Sequence, residues 1–528
     1  MNVFSVKLFG KKGLMAGAAS LVLMATPAVA QTNAELLQRL NDLESRLETI
    51  SDRVTTDRTR LSTVEQSYNS AVWTFDNGRP TFASGDGRFT MSIRTRIQFD
   101  TASFMQDDTH PDGFAGPADL SSGAVFRRAY FGIEGRAYRD FAYYVRLNFG
   151  GSNGGFNGTG VPGTEGDGIL NQAILSYTGI PNWHFSVGAL ETSMMFEGTT
   201  SSANLMFIER PEIDNISTEL FGGSDSRRGI DIGYAKTDTF WAGDNVTVTA
   251  VFSGAKTANA AGHGNGGDEQ SQAFVRVTDR LWSDGPSNFQ IGATIGTVIY
   301  SGNAAGGGAQ ALNFQDRPQV RVDGTRLIST GNIAAKTGDL YALDMGLNWQ
   351  NFFIGGEWAQ FSADRQCGTL SVTNNPVCIN SAAVIDRPTF GGWYLEGSWI
   401  LTGETRSYAA TSLTNETAGW GMPVPSRPFA LDADSWGAWE LVARYSSTDL
   451  NWNPTQTALT NAVGTSRLAG VLGGKEDIFE VGLNWYLNRN VKLQPHFSFI
   501  SVKKGVAAIL NRDGQDLNVL MTRLQFAT

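Results

Sequence analysis

The residues with the most chemistry in this sequence are arginines set at alternate positions among apolar ones. Arg94 and Arg96 lie in FTMSIRTRIQFD, Arg128 in FRRAYFGIE, Arg146 in YYVRLNF, Arg276 in FVRVT and Arg444 in WELVARY. Successive side chains of an extended chain point to opposite faces, so each guanidinium shares a face with polar neighbours and backs onto an apolar face. The same phase puts Glu134, Asp231, Glu357, Glu396, Glu440 and Glu480 on the charged face. A guanidinium's planar fork matches oxyanions. Around an aqueous pore, rings of Arg favour anions and rings of carboxylate favour cations. The other use of the same residues is a cross-strand lattice of ion pairs that stiffens a wall.

The elements that position these groups are strands. In Phe89 to Asp100, Phe89, Met91, Ile93, Ile97 and Phe99 fall on one side, and Thr90, Ser92, Arg94, Arg96, Gln98 and Asp100 on the other. About sixteen segments repeat this one-sided pattern, among them Tyr143 to Phe149, Val246 to Phe252, Tyr341 to Trp349 and Val491 to Phe499. Their connections alternate between short (Gln350-Asn351, Asn488-Arg489-Asn490) and long (191–227, 301–339, 447–477). One link, 402–436, is long where a short one belongs, so it holds further structure or folds inward. Aromatic residues recur near segment ends, as at the two interfaces of a membrane barrel. Past the N-terminus no apolar run is long enough for a spanning helix, which excludes a helical membrane protein but not a barrel. A soluble all-β chain of 528 residues would need several cores, and one-faced strands leave too little to fill them. The pattern predicts an all-β fold, a 16-stranded antiparallel transmembrane β-barrel preceded by a short N-terminal coiled-coil helix.

The expected layout is a signal peptide over 1–30, a periplasmic coiled-coil helix over 31–70, a linker over 71–88 and the barrel over 89–528. Lys7, Lys11 and Lys12 precede an apolar core from Leu14 to Met24, and Ala28-Val29-Ala30 is a small-residue cleavage site. In 34–70, Leu40, Leu47, Val54 and Leu61 occupy heptad a positions; Leu36, Leu43, Ile50 and Val64 occupy d, with Asp57 also at d. Arg39 with Glu44, and Arg60 with Glu65, have the spacing of interhelical ion pairs. A solvated amphipathic helix is the alternative. Cys367 and Cys378 are the two cysteines, and in an exported protein they are expected to close a small loop as a disulfide.

Several segments, in order, resemble the phosphate-selective porin O/P family of bacterial outer membranes, over about Trp73 to Phe526. They include Phe126-Arg127-Arg128-Ala129, Phe207-Ile208-Glu209-Arg210, Arg317-Pro318-Gln319 and Leu401-Thr402-Gly403-Glu404-Thr405-Arg406. Gly437-Ala438-Trp439-Glu440-Leu441 with Ala443-Arg444-Tyr445, and Gly482-Leu483-Asn484-Trp485-Tyr486-Leu487, complete the set. The resemblance implies 16-stranded trimeric barrels that pass small anions by diffusion. The chain departs from the family in having few lysines, its positive charge being mostly Arg, and in ending Phe526-Ala527-Thr528 rather than on an aromatic residue.

On this reading the pore-lining and anion-binding candidates are Arg94, Arg96, Arg128, Arg146, Arg210, Arg276, Arg317, Arg321 and Arg444. The connection 191–227 is unusually apolar for an exposed loop, and Phe207, Glu209 and Arg210 mark it as the constriction-loop candidate. The connection that carries Arg317, Arg321 and Arg326 is a second candidate to fold inward. His110, His184, His263 and His496 show no metal-ligand spacing, and no nucleophile elbow or Ser/His/acid set stands out, so neither enzyme nor cofactor is expected. The formal charge of −10 argues against nucleic acid as a partner. The expected partners are outer-membrane lipid and lipopolysaccharide, two further copies of the chain, and small anions such as phosphate. The expected function is a trimeric outer-membrane porin. The alternative is a structural barrel that tethers the envelope, with a narrow or closed lumen.

Overall fold

β-Branched and aromatic residues alternating with polar ones form strands because each can bury one face while the backbone pairs sideways. The computed structural model describes residues 33–76, 78–106, 120–151, 170–191, 193–221, 226–257, 268–302, 311–317, 319–366, 384–411, 416–456, 459–461, 464–503 and 515–528. The expected signal peptide and the Cys367–Cys378 disulfide lie outside these residues. The chain falls into two units, Met1–Ser70 and Ala71–Thr528.

The first unit's described element is one helix, α1 (Asn33–Asn69). It has no Gly or Pro to interrupt it, and Thr49, Thr55 and Thr56 each donate a side-chain hydrogen bond to the carbonyl four residues back. Its seam residues Leu36, Leu40, Leu43, Leu47, Ile50, Val54 and Leu61 are between 46% and 67% exposed.

The second unit is the barrel. Its strands are β1 (Thr90–Gln106), β2 (Gly123–Ala137), β3 (Phe141–Asn148), β4 (Leu170–Tyr177), β5 (Trp183–Leu190), β6 (Arg227–Thr237), β7 (Asn245–Lys256) and β8 (Ser271–Asp284). They continue as β9 (Ser287–Tyr300), β10 (Ile333–Trp349), β11 (Phe352–Gln366), β12 (Thr389–Ile400), β13 (Ala438–Trp452), β14 (Val471–Tyr486), β15 (Val491–Lys503) and β16 (Gln515–Ala527). Each pairs antiparallel with the next, and β16 pairs back onto β1 from Leu517↔Gln106 to Ala527↔Arg96, which closes 16 strands into a ring. Closure leaves no free sheet edge, a condition a spanning sheet must meet.

Alternation holds around the wall. Outward positions are apolar and exposed, as at Ile295, Leu343, Met345, Leu395 and Leu520. Aromatic pairs band the outside near the short turns (Phe352–Trp399, stacked at 5.8 Å; Trp439–Trp485, stacked at 5.0 Å) and again toward the other end (Trp393–Tyr445 at 5.5 Å; Phe479–Phe499 at 6.1 Å). These are the two girdles of a lipid-facing belt. The inward positions are polar and buried.

Within 71–88 lies a hairpin of Val72–Asp76 and Arg79–Ala83. Its second strand pairs with Thr90, Met91 and Ser92 of β1, below the point where β16 ends opposite Arg96. The hairpin thus extends the wall past the end of the last strand.

Candidate functional site

The lumen is occupied by three segments of the chain. The first, 193–221, carries α2 (Phe196–Thr199) and α3 (Glu212–Phe221). Met194, Met195, Phe196, Phe207, Ile208 and Ile216 are at most 1% exposed, as the segment's apolar composition requires. Room for it comes from the wall: Gly346 of β10 and Gly355 of β11 are cross-strand partners, and a Cβ on either would lie within 3 Å of the Phe196 ring.

Between α2 and α3 the backbone is irregular, so its carbonyls need partners from elsewhere. The wall supplies them with side chains. The Ser202 and Ala203 carbonyls accept from Gln98 (2.9 Å) and Gln525 (3.0 Å), and the Leu205 carbonyl from Lys492 Nζ (3.0 Å). The Met206 carbonyl accepts from both Asn484 and Gln494 (each 3.0 Å), that of Ile208 from Arg523 (2.5 Å) and that of Glu209 from Arg444 (3.0 Å). Each donor is an inward residue of β1, β13, β14, β15 or β16. Much of the inner wall's polarity therefore holds the segment in place.

Glu209 is the hub of this attachment. Its carboxylate accepts from Arg127 Nε at 2.7 Å and Arg523 Nη2 at 3.1 Å, with Arg321 Nε at 3.9 Å. Arg523 is itself held in two hydrogen bonds, each 2.7 Å, to Asp100, so the first strand, the last strand and the inward segment meet at one group. Burial opposes the charge of Glu209, but Arg127, Arg523, Arg128 and Arg321 outweigh it and keep the carboxyl well below the ordinary range.

Arg127 reaches that position through a β-bulge. Gln98 pairs with Arg128 and Phe99 with Phe126, which leaves Arg127 as the extra residue. Strict alternation from Arg128 places Arg127 on the lipid face, so the sequence phase missed it. The bulge turns both arginines inward.

The second segment, 311–332, buries Phe314 and Ile328 completely and leaves Val320 1% exposed. It is stitched to the first by Arg321 to Asn215 Oδ1 (3.0 Å) and Arg326 to Glu219 (2.6 Å), and to the wall by Arg444 to Gln319 Oε1 (3.1 Å). The third, within 401–437, is the link that is long where a short one belongs. Its hairpin, Tyr408–Thr411 with Glu416–Trp420, brings Trp420 against Phe353 at 5.3 Å, and Arg406 pairs with Glu440 of β13. The link both holds structure and folds inward.

The predicted arginines divide by partner. Arg94 pairs with Glu134 at 2.6 Å, Arg146 with Glu191, Arg210 with Asp214 at 3.4 Å, Arg276 with Asp344 at 2.7 Å and Arg444 with Glu480 at 3.1 Å. Arg317 donates to the Gly324 carbonyl at 3.1 Å, and burial with Arg321 nearby lowers its guanidinium to about 8. Arg96 and Arg128 differ: Arg96 donates to the Ser201 and Ser202 hydroxyls and Arg128 to Gln98 Oε1 at 2.8 Å. Among the described residues neither has a carboxylate partner. Arg96 and Arg146 lie over the Tyr130 ring, at 5.5 and 4.1 Å from its centre. Arg523, Arg406 and Lys492 belong to the inner wall and lumen but were not among the predicted residues. The apolar phase of Leu520, Leu524 and Phe526 contained the signal for Arg523.

The family model for phosphate-selective porin O and P matches residues 97–528. The chain belongs to the phosphate-selective porin O and P family. Porin O of Pseudomonas aeruginosa is 25% identical over 467 residues, covering 84% of this chain and 90% of that protein. An uncharacterized protein of Caulobacter vibrioides is 24% identical over 447 residues, 83% of this chain and 73% of that one. Among solved structures, an anion-selective porin from Comamonas acidovorans aligns with TM-score 0.43 at 12% identity, covering 83% of this chain and 100% of that one. The outer-membrane channel DcaP of Acinetobacter baumannii aligns with TM-score 0.43 at 10% identity, covering 83% and 97%. These alignments add nothing to what the strand register shows. Family and barrel together make this porin an outer-membrane channel.

Proposed function

We propose that this porin is a trimeric, water-filled channel for passive diffusion of small hydrophilic solutes, with a preference for anions such as phosphate. The observation that carries the anion preference is the contrast among inward arginines. Arg94, Arg127, Arg146, Arg276, Arg406, Arg444 and Arg523 pair directly with carboxylates, whereas among the described residues the hydrogen-bond acceptors of Arg96 and Arg128 are neutral oxygens. Arg128 also bears on Glu209, but neither charge is spent in a direct carboxylate pair, so both can act on a passing anion, and the guanidinium fork suits phosphate. Phe207, Glu209 and Arg210 form the constriction in this reading, with the inward segment docked on the arginine wall. The α1 seam is the trimer's coiled coil in the periplasm, and lipid with lipopolysaccharide covers the outer belt.

A second reading is a tethering barrel with a narrow or closed lumen, and the three inward segments favour it. Planar-bilayer recording across a salt gradient separates the two. Current steps in threes, with an anion-selective reversal potential and block by phosphate, support the channel. Folded, inserted protein that passes no current supports the tether. Cation-selective steps keep the channel and remove the anion preference.

A further inference from the structure

Where the first two inward segments meet the wall, buried carboxyl groups bear on one another. Glu212, the first residue of α3, and Asp316, in the second segment, are each 1% exposed, and Glu476 of β14 is fully buried. Glu212 Oε1 accepts from Ser446 at 3.0 Å, and Asp316 Oδ2 from Asn215 at 3.2 Å. Glu212 Oε2, Asp316 Oδ1 and both oxygens of Glu476 have no partner. Thr448 is the cross-strand neighbour of Glu476 and shares its inward face; its hydroxyl is also fully buried and unpartnered.

The charges around this seam do not neutralise it. Those bearing on Glu476 are Glu212, Asp316 and Asp477, all acids. Glu212 feels Arg444 and also Glu480, but Arg444 is committed to Glu480, Gln319 and the Glu209 carbonyl. Asp316 feels Arg321 and Arg326, but these hydrogen-bond Asn215 and Glu219. Among the described residues, no three acids, histidines or cysteines converge closely enough to hold a metal ion. A buried, unpaired carboxylate neutralises by taking a proton.

We propose that Glu212, Asp316 and Glu476 form a proton-held seam: while they carry protons, the segments 193–221 and 311–332 stay docked on the wall, and when they ionise, mutual repulsion lifts the segments and widens the channel. The sign follows from Asp316. Burial raises its carboxyl from the ordinary 3.8 to about 7 in the docked state, so docking is strongest below about pH 4 and weakens as pH rises to about 7. Burial also raises Glu212. Conductance therefore increases across that window.

The inference rests on the channel reading, and one experiment separates their failures. Single-channel conductance of the full chain is recorded from pH 4 to pH 8, for the wild type, for Glu476→Gln alone, and for Asp316→Asn with Glu212→Gln and Glu476→Gln. The wild type is expected to rise severalfold between about pH 4 and pH 7, and the triple variant to stay at the low-pH conductance throughout. No current at any pH fails the channel reading. A conducting wild type with flat conductance overturns the seam alone. So does a triple variant that keeps the full rise, or, should that variant not insert, a Glu476→Gln protein with wild-type midpoint and amplitude. A wild-type rise produced by chelating divalent cations, and not by pH, assigns the counter-charge to a metal and also overturns the proton reading.

Discussion

Arg127 Nε donates to Glu209 Oε1 at 2.7 Å, joining a bulge in the second strand to the tip of the inward segment across 82 residues of sequence. Arg127 is 13% exposed and Glu209 3%, so solvent screens the pair little. Removing one partner of such a pair costs about 3–5 kcal/mol, because the other is left charged and uncompensated. Glu209→Gln is expected to do more than Arg127→Gln, since it removes the negative charge that Arg523, Arg128 and Arg321 share as well as the partner of Arg127. The measurements are the thermal midpoint and the single-channel conductance of each variant, with larger, noisier steps expected from both. Equal midpoints for wild type and Glu209→Gln would refute the hub.

Arg96 and Arg128 carry the selectivity prediction. Arg96→Gln with Arg128→Gln is expected to move the reversal potential toward cation preference and weaken block by phosphate, with little change in melting. The comparison variant is Arg276→Gln, which breaks the buried pair with Asp344 and should cost stability first. If the double variant keeps wild-type selectivity, the arginines with neutral partners are not the filter.

Gly355→Val tests the fit of α2. A side chain there meets the Phe196 ring and must displace it or the segment that carries it. Overpacking of this kind costs about 1–3 kcal/mol. The expected outcome is a barrel with unchanged strand content by circular dichroism, a lowered midpoint and increased conductance. Gly285→Ala, with open space at the added Cβ but a φ of +58°, should show only the small backbone penalty at a turn.

The seam of α1 gives a prediction that does not depend on the lumen. Leu47 is 67% exposed on the single chain and lies at a heptad a position. Leu47→Cys, oxidised in the membrane, is expected to cross-link copies of the chain, whereas Glu48→Cys, one position off the seam, should do so poorly. Equal yields at both sites would rule out a parallel, in-register association.

The barrel was legible because its signal is periodic. One-sided strands such as Tyr341 to Trp349 announce both the strand and its inward face, and the apolar 191–227 announces a segment that must leave solvent. The inward direction of Arg94, Arg96, Arg128, Arg146, Arg276 and Arg444 followed from phase alone. What phase does not encode is a break in itself. The bulge at Arg127 shifts one residue to the other face, and only the paired strand reveals it. Partner choice was equally hidden. Nothing local distinguishes Arg128, which meets Gln98, from Arg444, which meets Glu480; the register between strands decides it. Arg406 and Trp420 sit in a link whose length was anomalous, and length alone carries no direction.

Asp100 and Arg523 are 423 residues apart, yet they meet in one buried fork beside Glu209. That fork has a consequence for biogenesis. The strand that closes the ring is also the one whose guanidinium grips the Ile208 carbonyl and the Glu209 carboxylate. Without the last strand the barrel is an open sheet and the inward segment lacks the holds of Arg523 and Gln525, while those from β1, β13, β14 and β15 remain. Pairing of the last strand with the first thus both seals the cylinder and adds a latch on its contents. A truncation that spares every other strand but removes β16 forfeits the closure and the Arg523 latch at once.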